Sequence, residues 1–259
     1  VSMWIVDIAN WEVKPYQFLW SGALSLFMAL YALNMPKCEV SGSKKGEGLI
    51  KALGLEAFAL FRNYRMALFF IFSMLLGAAL QVSNGYANMF ISGFGGIEKY
   101  AGTFAVEHTN MLISLSQISE TLCILLIPFF LRKFVIKIVM LIAMLGWVFR
   151  FGFFAMGDPA MPGVLLFVLS MIVYGVAFDF FNVSGSLFVD KETPENMRSS
   201  AQGLFMLMTN GLGASIGVIA AQEVVNHFTA NQTNFAGWTS AWYIFAGYAL
   251  VIAVLFAVV

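Results

Sequence analysis

Residues 162–188 read PGVLLFVLSMIVYGVAFDFFNVSGSLF, and Asp179 is the only charged side chain in that run. About 20 consecutive apolar residues cross the hydrocarbon core of a bilayer as one helix. A charge placed there costs several kcal/mol, on the order of 3 on insertion scales. Such residues face a bundle interior, a water-filled path or one another. Two further runs share the pattern: Glu120 follows SLSQIS at 114–119, and Arg150 sits inside LGWVFRFGFF at 145–154. Three intramembrane charges, two of them carboxylates, predict a polar, proton-sensitive pocket between helices.

Working outward, seven segments are long and apolar enough to span: 15–35, 64–91, 108–131, 134–155, 162–188, 198–225 and 237–259. Residues 1–9 read as the tail of an eighth. Pro15 suits a first helical turn. Pro36, Pro159 and Pro194 stand at or beyond segment ends, and Pro128 falls inside its helix and is expected to kink it. The predicted fold class is an all-α integral membrane protein. Composition agrees: 60% of residues are hydrophobic and 11% charged, with mean hydropathy +0.84, whereas a soluble domain carries about 25% charged residues. A soluble chain of this composition would expose large apolar patches.

Lys and Arg are distributed asymmetrically. Loop 36–65 carries Lys37, Lys44, Lys45, Lys51, Arg62 and Arg65; loop 131–137 carries Arg132, Lys133 and Lys137; loop 189–198 carries Lys191 and Arg198. The alternate loops hold only Lys14 and Lys99. The positive-inside rule then puts the three basic loops in the cytoplasm, with the C-terminal end of the chain directed there. Within the first of these loops, SGSKKGEG (41–48) has a flexible-linker composition. The following LIKALGLEAFALF (49–61) aligns Leu49, Ile50, Leu53, Ala57, Phe58 and Phe61 for a short interfacial helix. A basic loop of this kind before six spans reads as a junction between two six-helix halves. The chain opens on Val1 in VSMWIVDI, with no basic n-region of a signal peptide, and closes on LVIAVLFAVV. It is read as a fragment cut inside a helix at each end.

Several function classes lack support. Net charge is zero, which gives no argument for nucleic-acid binding. HExxH, CxxC clusters and phosphate loops do not occur, so neither an enzyme nor a metal site is expected. Glu120 and Asp179 could form an acid pair, but no nucleophile or metal set accompanies them. His108 and His227 lie at outer helix ends without metal-ligand spacing, and Cys38 and Cys123 are too differently placed to suggest a disulfide framework. Asn231-Gln-Thr fits a glycosylation sequon, relevant only in a secretory pathway.

The polar residues of the spans form stripes. Gln81, Asn84 and Asn88 share a helix face. Gln117 and Glu120 are i, i+3, with Ser114 beside them. Amides and carboxylates so placed can bond sugar hydroxyls or base edges; the competing reading is plain interhelical bonding, favoured for Asn88. For Glu120 the alternative is a buried salt bridge to Arg150. Arg150 itself is read first as an ion-pair or gating residue, with outward snorkelling and direct ligand contact as alternatives. Tyr174 and Phe178 (i, i+4) make a continuous aromatic surface, with Asp179 and Asn182 next to it. A flat heterocycle bearing a hydroxylated sugar suits that surface, through ring stacking and charge-assisted bonds. Gln202 and Asn210 read as packing, and Gly213 and Gly217 in GASIG as close helix approach.

LGLEAFALFRNYRMALFFIFSMLLGAALQVSN (53–84), SQISETLCILLIPFF (116–130) and VLSMIVYGVAFDFFNVSGSLFV (168–189) closely resemble the bacterial nucleoside:proton symporters of the major facilitator superfamily. The resemblance covers essentially the whole chain. It implies a twelve-helix carrier of the bacterial inner membrane, working by alternating access, of which this chain is a part. Residues 1–35 would be the end of the fifth helix and the sixth, 36–63 the inter-half loop with its short amphipathic helix, and 64–259 the C-terminal six-helix half. The partners implied are a nucleoside such as uridine, the lipid bilayer and the missing N-terminal half; no cofactor is implied beyond the proton as coupling ion. The matching site positions are Gln81, Asn84, Gln117, Glu120, Tyr174, Phe178 and Asp179. Asp179 or Glu120 would carry the proton, Asp179 slightly preferred. A facilitator or sugar symporter of the same fold, and a non-transporting membrane receptor, are the alternatives.

Overall fold

The computed structural model describes residues 4, 5, 8, 9, 11, 14–36, 54–230 and 234–258. The chain divides into two compact units, Val1–Ala52 and Leu53–Val259. The expected linker 41–48, the first residues of the expected interfacial helix and the sequon at 231–233 lie outside the described residues.

In the first unit α1 runs over Tyr16–Ala32, with Pro15 just before its first residue. Proline's fixed φ suits that place, since the missing N–H would have no helical partner there. The helix has 17 residues, about 26 Å at 1.5 Å each. The segment expected to span over 15–35 is therefore shorter than its apolar run, which ends in turns before Pro36.

The second unit opens with a 3₁₀ segment, Leu55–Arg62, where a helix over 49–61 was expected. Ala57 is its buried residue, and it packs on the helices that follow. Those helices are α2 (Tyr64–Gly93), the short α3 (Phe104–Glu107), α4 (Thr109–Lys133), α5 (Ile136–Met156), α6 (Val164–Glu192), α7 (Arg198–Met206), α8 (Ala214–Thr229) and α9 (Gly237–Val258). With α7 and α8 taken as one rod, six helices among the described residues are long and apolar enough to cross a membrane. Asn63 caps α2, its side chain accepting the Arg65 N–H at 3.0 Å. α4 runs through Pro128 to Lys133.

The region 198–225, read from sequence as one helix, contains a π-helical segment at Leu207–Gly213 between α7 and α8. It lies close against α2. A Cβ on Gly77 would collide with the Thr209 carbonyl, and one on Gly213 with the Met74 carbonyl. Backbone meets backbone at these points, and the widened turn carries the Thr209 carbonyl against α2. Sequence showed the small residues but not the change of helical pitch.

α6 is flanked by α4 and α5, and α5 carries α9 on its other side. α2 packs on the π segment and α8. An aromatic core joins these helices: Trp242 lies 4.7 Å from Phe154, 5.4 Å from Phe90 and 5.8 Å from Phe151, ring centre to ring centre. Such pairs add about 0.5–1.5 kcal/mol each beyond burial. The outer face is also apolar. Leu122, Leu125 and Phe129 of α4 are more than half exposed. The chain is a multi-pass membrane protein.

Candidate functional site

Three helices supply the seven predicted residues: α2 carries Gln81 and Asn84, α4 carries Gln117 and Glu120, and α6 carries Tyr174, Phe178 and Asp179. α4 and α6 touch backbone to backbone beside them. A Cβ on Gly175 would strike Ser119, whose Oγ donates to the Ile172 carbonyl. Only a residue without a side chain permits that approach, and it places Glu120 next to Tyr174.

Tyr174 is the hub. Its hydroxyl donates to Asn84 Oδ1 at 3.1 Å, tying α6 to α2. Its ring lies parallel to that of Phe178, interplanar angle 7° and centroids 5.8 Å apart. Trp147 of α5 meets the Tyr174 ring edge-on at 5.8 Å. The Arg150 guanidinium carbon sits 4.3 Å from the centre of the same ring, a cation–π contact of up to about 2 kcal/mol when desolvated.

Arg150 corrects the reading from sequence. It does not snorkel, being 2% exposed, and it forms no ion pair with a carboxylate among the described residues. Its Nε donates to Ser83 Oγ and its Nη1 to the Ser170 carbonyl, both at 2.8 Å. Ser170 Oγ returns a bond to the Arg150 carbonyl at 3.0 Å. The buried charge is thus met by dipoles and two aromatic faces, the second being Phe154 at 5.2 Å. The salt bridge considered for Glu120 is not formed; the carboxylate acts on Arg150 only through space.

Asp179 is buried, and its Oδ2 has no hydrogen-bond partner among the described residues. A proton, a water, a ligand or a donor from outside the described residues would satisfy that oxygen. Glu120 lies close enough to act electrostatically on both Asp179 and Tyr174. Glu120, Gln81 and Phe178 are half-buried, whereas Asn84 and Gln117 are exposed. These five present accessible polar and aromatic surface beside the buried pair Tyr174 and Asp179.

Other polar residues serve packing. Asn88 Nδ2 donates to Asn110 Oδ1 at 2.9 Å, joining α2 to α4. Gln202 Nε2 donates to the Ser186 carbonyl and to Asp190 Oδ1. Asn182 turns back to the Phe178 carbonyl of its own helix. Sequence reasoning passed over Ser83, Trp147 and Ser170. Trp147 and Arg150 stand at i, i+3, the one signal that could have marked this supporting set. A second polar chain also went unread: Tyr86 donates to Gln222 Oε1 at 3.0 Å, and Gln222 Nε2 to Asn226 Oδ1 at 2.7 Å.

Residues 1–259 match the nucleoside H+ symporter family. The chain is 48% identical over 256 residues to nucleoside permease NupG of Escherichia coli strain K12, covering 99% of this chain and 61% of that protein. It is 47% identical to the xanthosine permease of the same organism, with the same coverage of each. The fold is similar to a crystal structure of a point mutant of the nucleoside transporter NupG, with TM-score 0.87 and 47% identity, covering 99% of this chain and 63% of that one. A second NupG crystal structure gives TM-score 0.82 at 48% identity. The chain therefore spans about three fifths of the length of the curated relatives it matches. This chain belongs to the nucleoside H+ symporter family.

Proposed function

We propose that the chain is part of a proton-coupled nucleoside importer of the bacterial inner membrane. Residues 64–259 form its C-terminal six-helix half, 36–63 the linking loop, and 1–35 the end of the preceding half. The basic loops face the cytoplasm, as the asymmetry of Lys and Arg argues. The missing N-terminal half completes the pocket, and rocking of the halves exposes it alternately to each side.

One observation supports the substrate class most strongly. The rings of Tyr174 and Phe178 lie parallel, Tyr174 buried and braced by Arg150 and Asn84 and Phe178 partly accessible, on the helix that also carries the unsatisfied oxygen of Asp179. A nucleobase stacks on such a platform. Gln81, Asn84, Gln117 and Glu120 bond the ribose or the base edge. Asp179, with Glu120 as runner-up, carries the proton. The hydroxyls and heteroatoms of a nucleoside match amides and carboxylates, and its planar base matches the aromatic rings.

Uptake of radiolabelled uridine into proteoliposomes containing the full-length carrier tests this. Accumulation above the outside concentration under an inward proton gradient is expected. Uptake that merely equilibrates overturns proton coupling, and no uptake overturns the substrate class.

A further inference from the structure

A second cavity lies far from Tyr174. It has a volume of about 800 Å³ and opens at the end of the bundle where α2 and α5 begin and α4, α6 and α9 end. Phe188, in its wall, follows Tyr174 by fourteen residues on α6, roughly 20 Å along the helix axis. The nucleoside reading does not use this cavity.

Its lining has two parts. The walls are apolar and aromatic, with Phe69, Phe72, Phe134, Phe188 and Phe256. The rim carries Arg65, Arg132, Lys133, Lys137 and Lys191 against a single carboxylate, Glu192. Among the described residues, two of the five cations have partners inside the protein. Lys137 donates to the Ala257 carbonyl at 3.3 Å, and Lys133 lies over the Phe134 ring at 5.7 Å. None of the five forms an ion pair among the described residues. Arg65, Arg132 and Lys191 come from three different helix ends and converge on one hollow.

We propose that this cavity binds one anionic membrane phospholipid, the phosphate headgroup held by Arg65, Arg132 and Lys191 and an acyl chain lying against the phenylalanine walls. Charge complementarity selects the sign of the ligand: five cations meet one carboxylate. The apolar walls select a ligand with a hydrocarbon portion over a free anion. Placement at the ends of membrane-crossing helices puts the cavity at headgroup depth, where basic pockets between helices recognise anionic lipids. The chain's own loop 36–53 is an unsuitable occupant, because Lys37, Lys44, Lys45 and Lys51 outnumber Glu39 and Glu47 and repeat the sign of the rim.

Native mass spectrometry of the full-length carrier, released from uncharged detergent and titrated with phosphatidylglycerol or phosphatidylcholine, tests the proposal. One saturating phosphatidylglycerol per chain is expected, preferred over phosphatidylcholine by about tenfold or more. Each of Arg65→Gln, Arg132→Gln and Lys191→Gln is expected to weaken that binding by about fivefold. Lys99→Gln, in a loop at the other end of the bundle, should leave it unchanged. Equal retention of the two lipids, adducts that never saturate, or an equal loss in Lys99→Gln would overturn the site. Displacement of the lipid by millimolar inorganic phosphate would overturn the lipid assignment in favour of a free-anion site. The preference of the unmodified chain decides the matter even where a variant fails to fold.

Discussion

The guanidinium of Arg150 lies against the face of Tyr174, 4.3 Å from carbon to ring centre, and both are buried. The contact joins an electrostatic requirement to the proposed recognition surface. A cation without a carboxylate needs dipoles and π faces in its place, and the Tyr174 ring supplies one of them. In return the ring is held flat while its hydroxyl engages Asn84. Recognition of a flat ligand gains from a platform that does not have to be ordered on binding.

Arg150→Lys is expected to destabilise the protein more than Arg150→Met. Lysine keeps the buried charge but loses the planar fork that reaches Ser83 and the Ser170 carbonyl, and it stacks poorly. Methionine removes the charge and fills much of the space. The difference should be about 1–3 kcal/mol in favour of methionine. Thermal unfolding of the two variants in the same detergent checks it; a lysine variant as stable as the parent would contradict the assignment.

The aromatic platform yields a graded expectation. Tyr174→Phe keeps the stack with Phe178 and loses the bond to Asn84, so uridine affinity should fall about fivefold, the worth of one ordinary hydrogen bond. Phe178→Ala removes half the platform and should cost about tenfold or more. Equilibrium binding of labelled uridine to the full-length carrier measures both. Wild-type affinity in Phe178→Ala would exclude stacking at that ring.

Helix approach is testable without a ligand. Gly77→Ala drives a methyl group into the Thr209 carbonyl, whereas Gly85→Ala meets nothing within 4 Å. The first should lose about 1–3 kcal/mol or more of stability through overpacking. The second should gain up to about 1 kcal/mol of helix propensity. A pair of melting curves separates them, and similar curves would argue against the backbone contact between α2 and the π segment.

Much of this was legible in the chain because the bilayer is a demanding solvent. Apolar runs of spanning length and the rarity of Glu120, Arg150 and Asp179 within them gave the helices and marked the polar interior. Periodicity put Tyr174 beside Phe178 and Gln117 beside Glu120. What stayed hidden depends on how helices meet. The partners of Arg150 are a serine from α2 and a carbonyl from α6, and neither has a sequence signature. The π segment at Leu207–Gly213 packs backbone to backbone at Gly77, an approach that a pattern of small residues hints at without giving the pitch. The end of α1 at Ala32 likewise could not be read from a run that stays apolar beyond it.

The proposed role of Asp179 is the point on which the proton-coupled reading turns. The decisive measurement compares the full-length carrier with its Asp179→Asn variant in proteoliposomes, in uphill uridine uptake under an inward proton gradient and in equilibrium exchange. The predicted result is that the variant still exchanges uridine but no longer accumulates it. Uphill accumulation by Asp179→Asn at the parent's level would contradict the assignment and move the proton to Glu120.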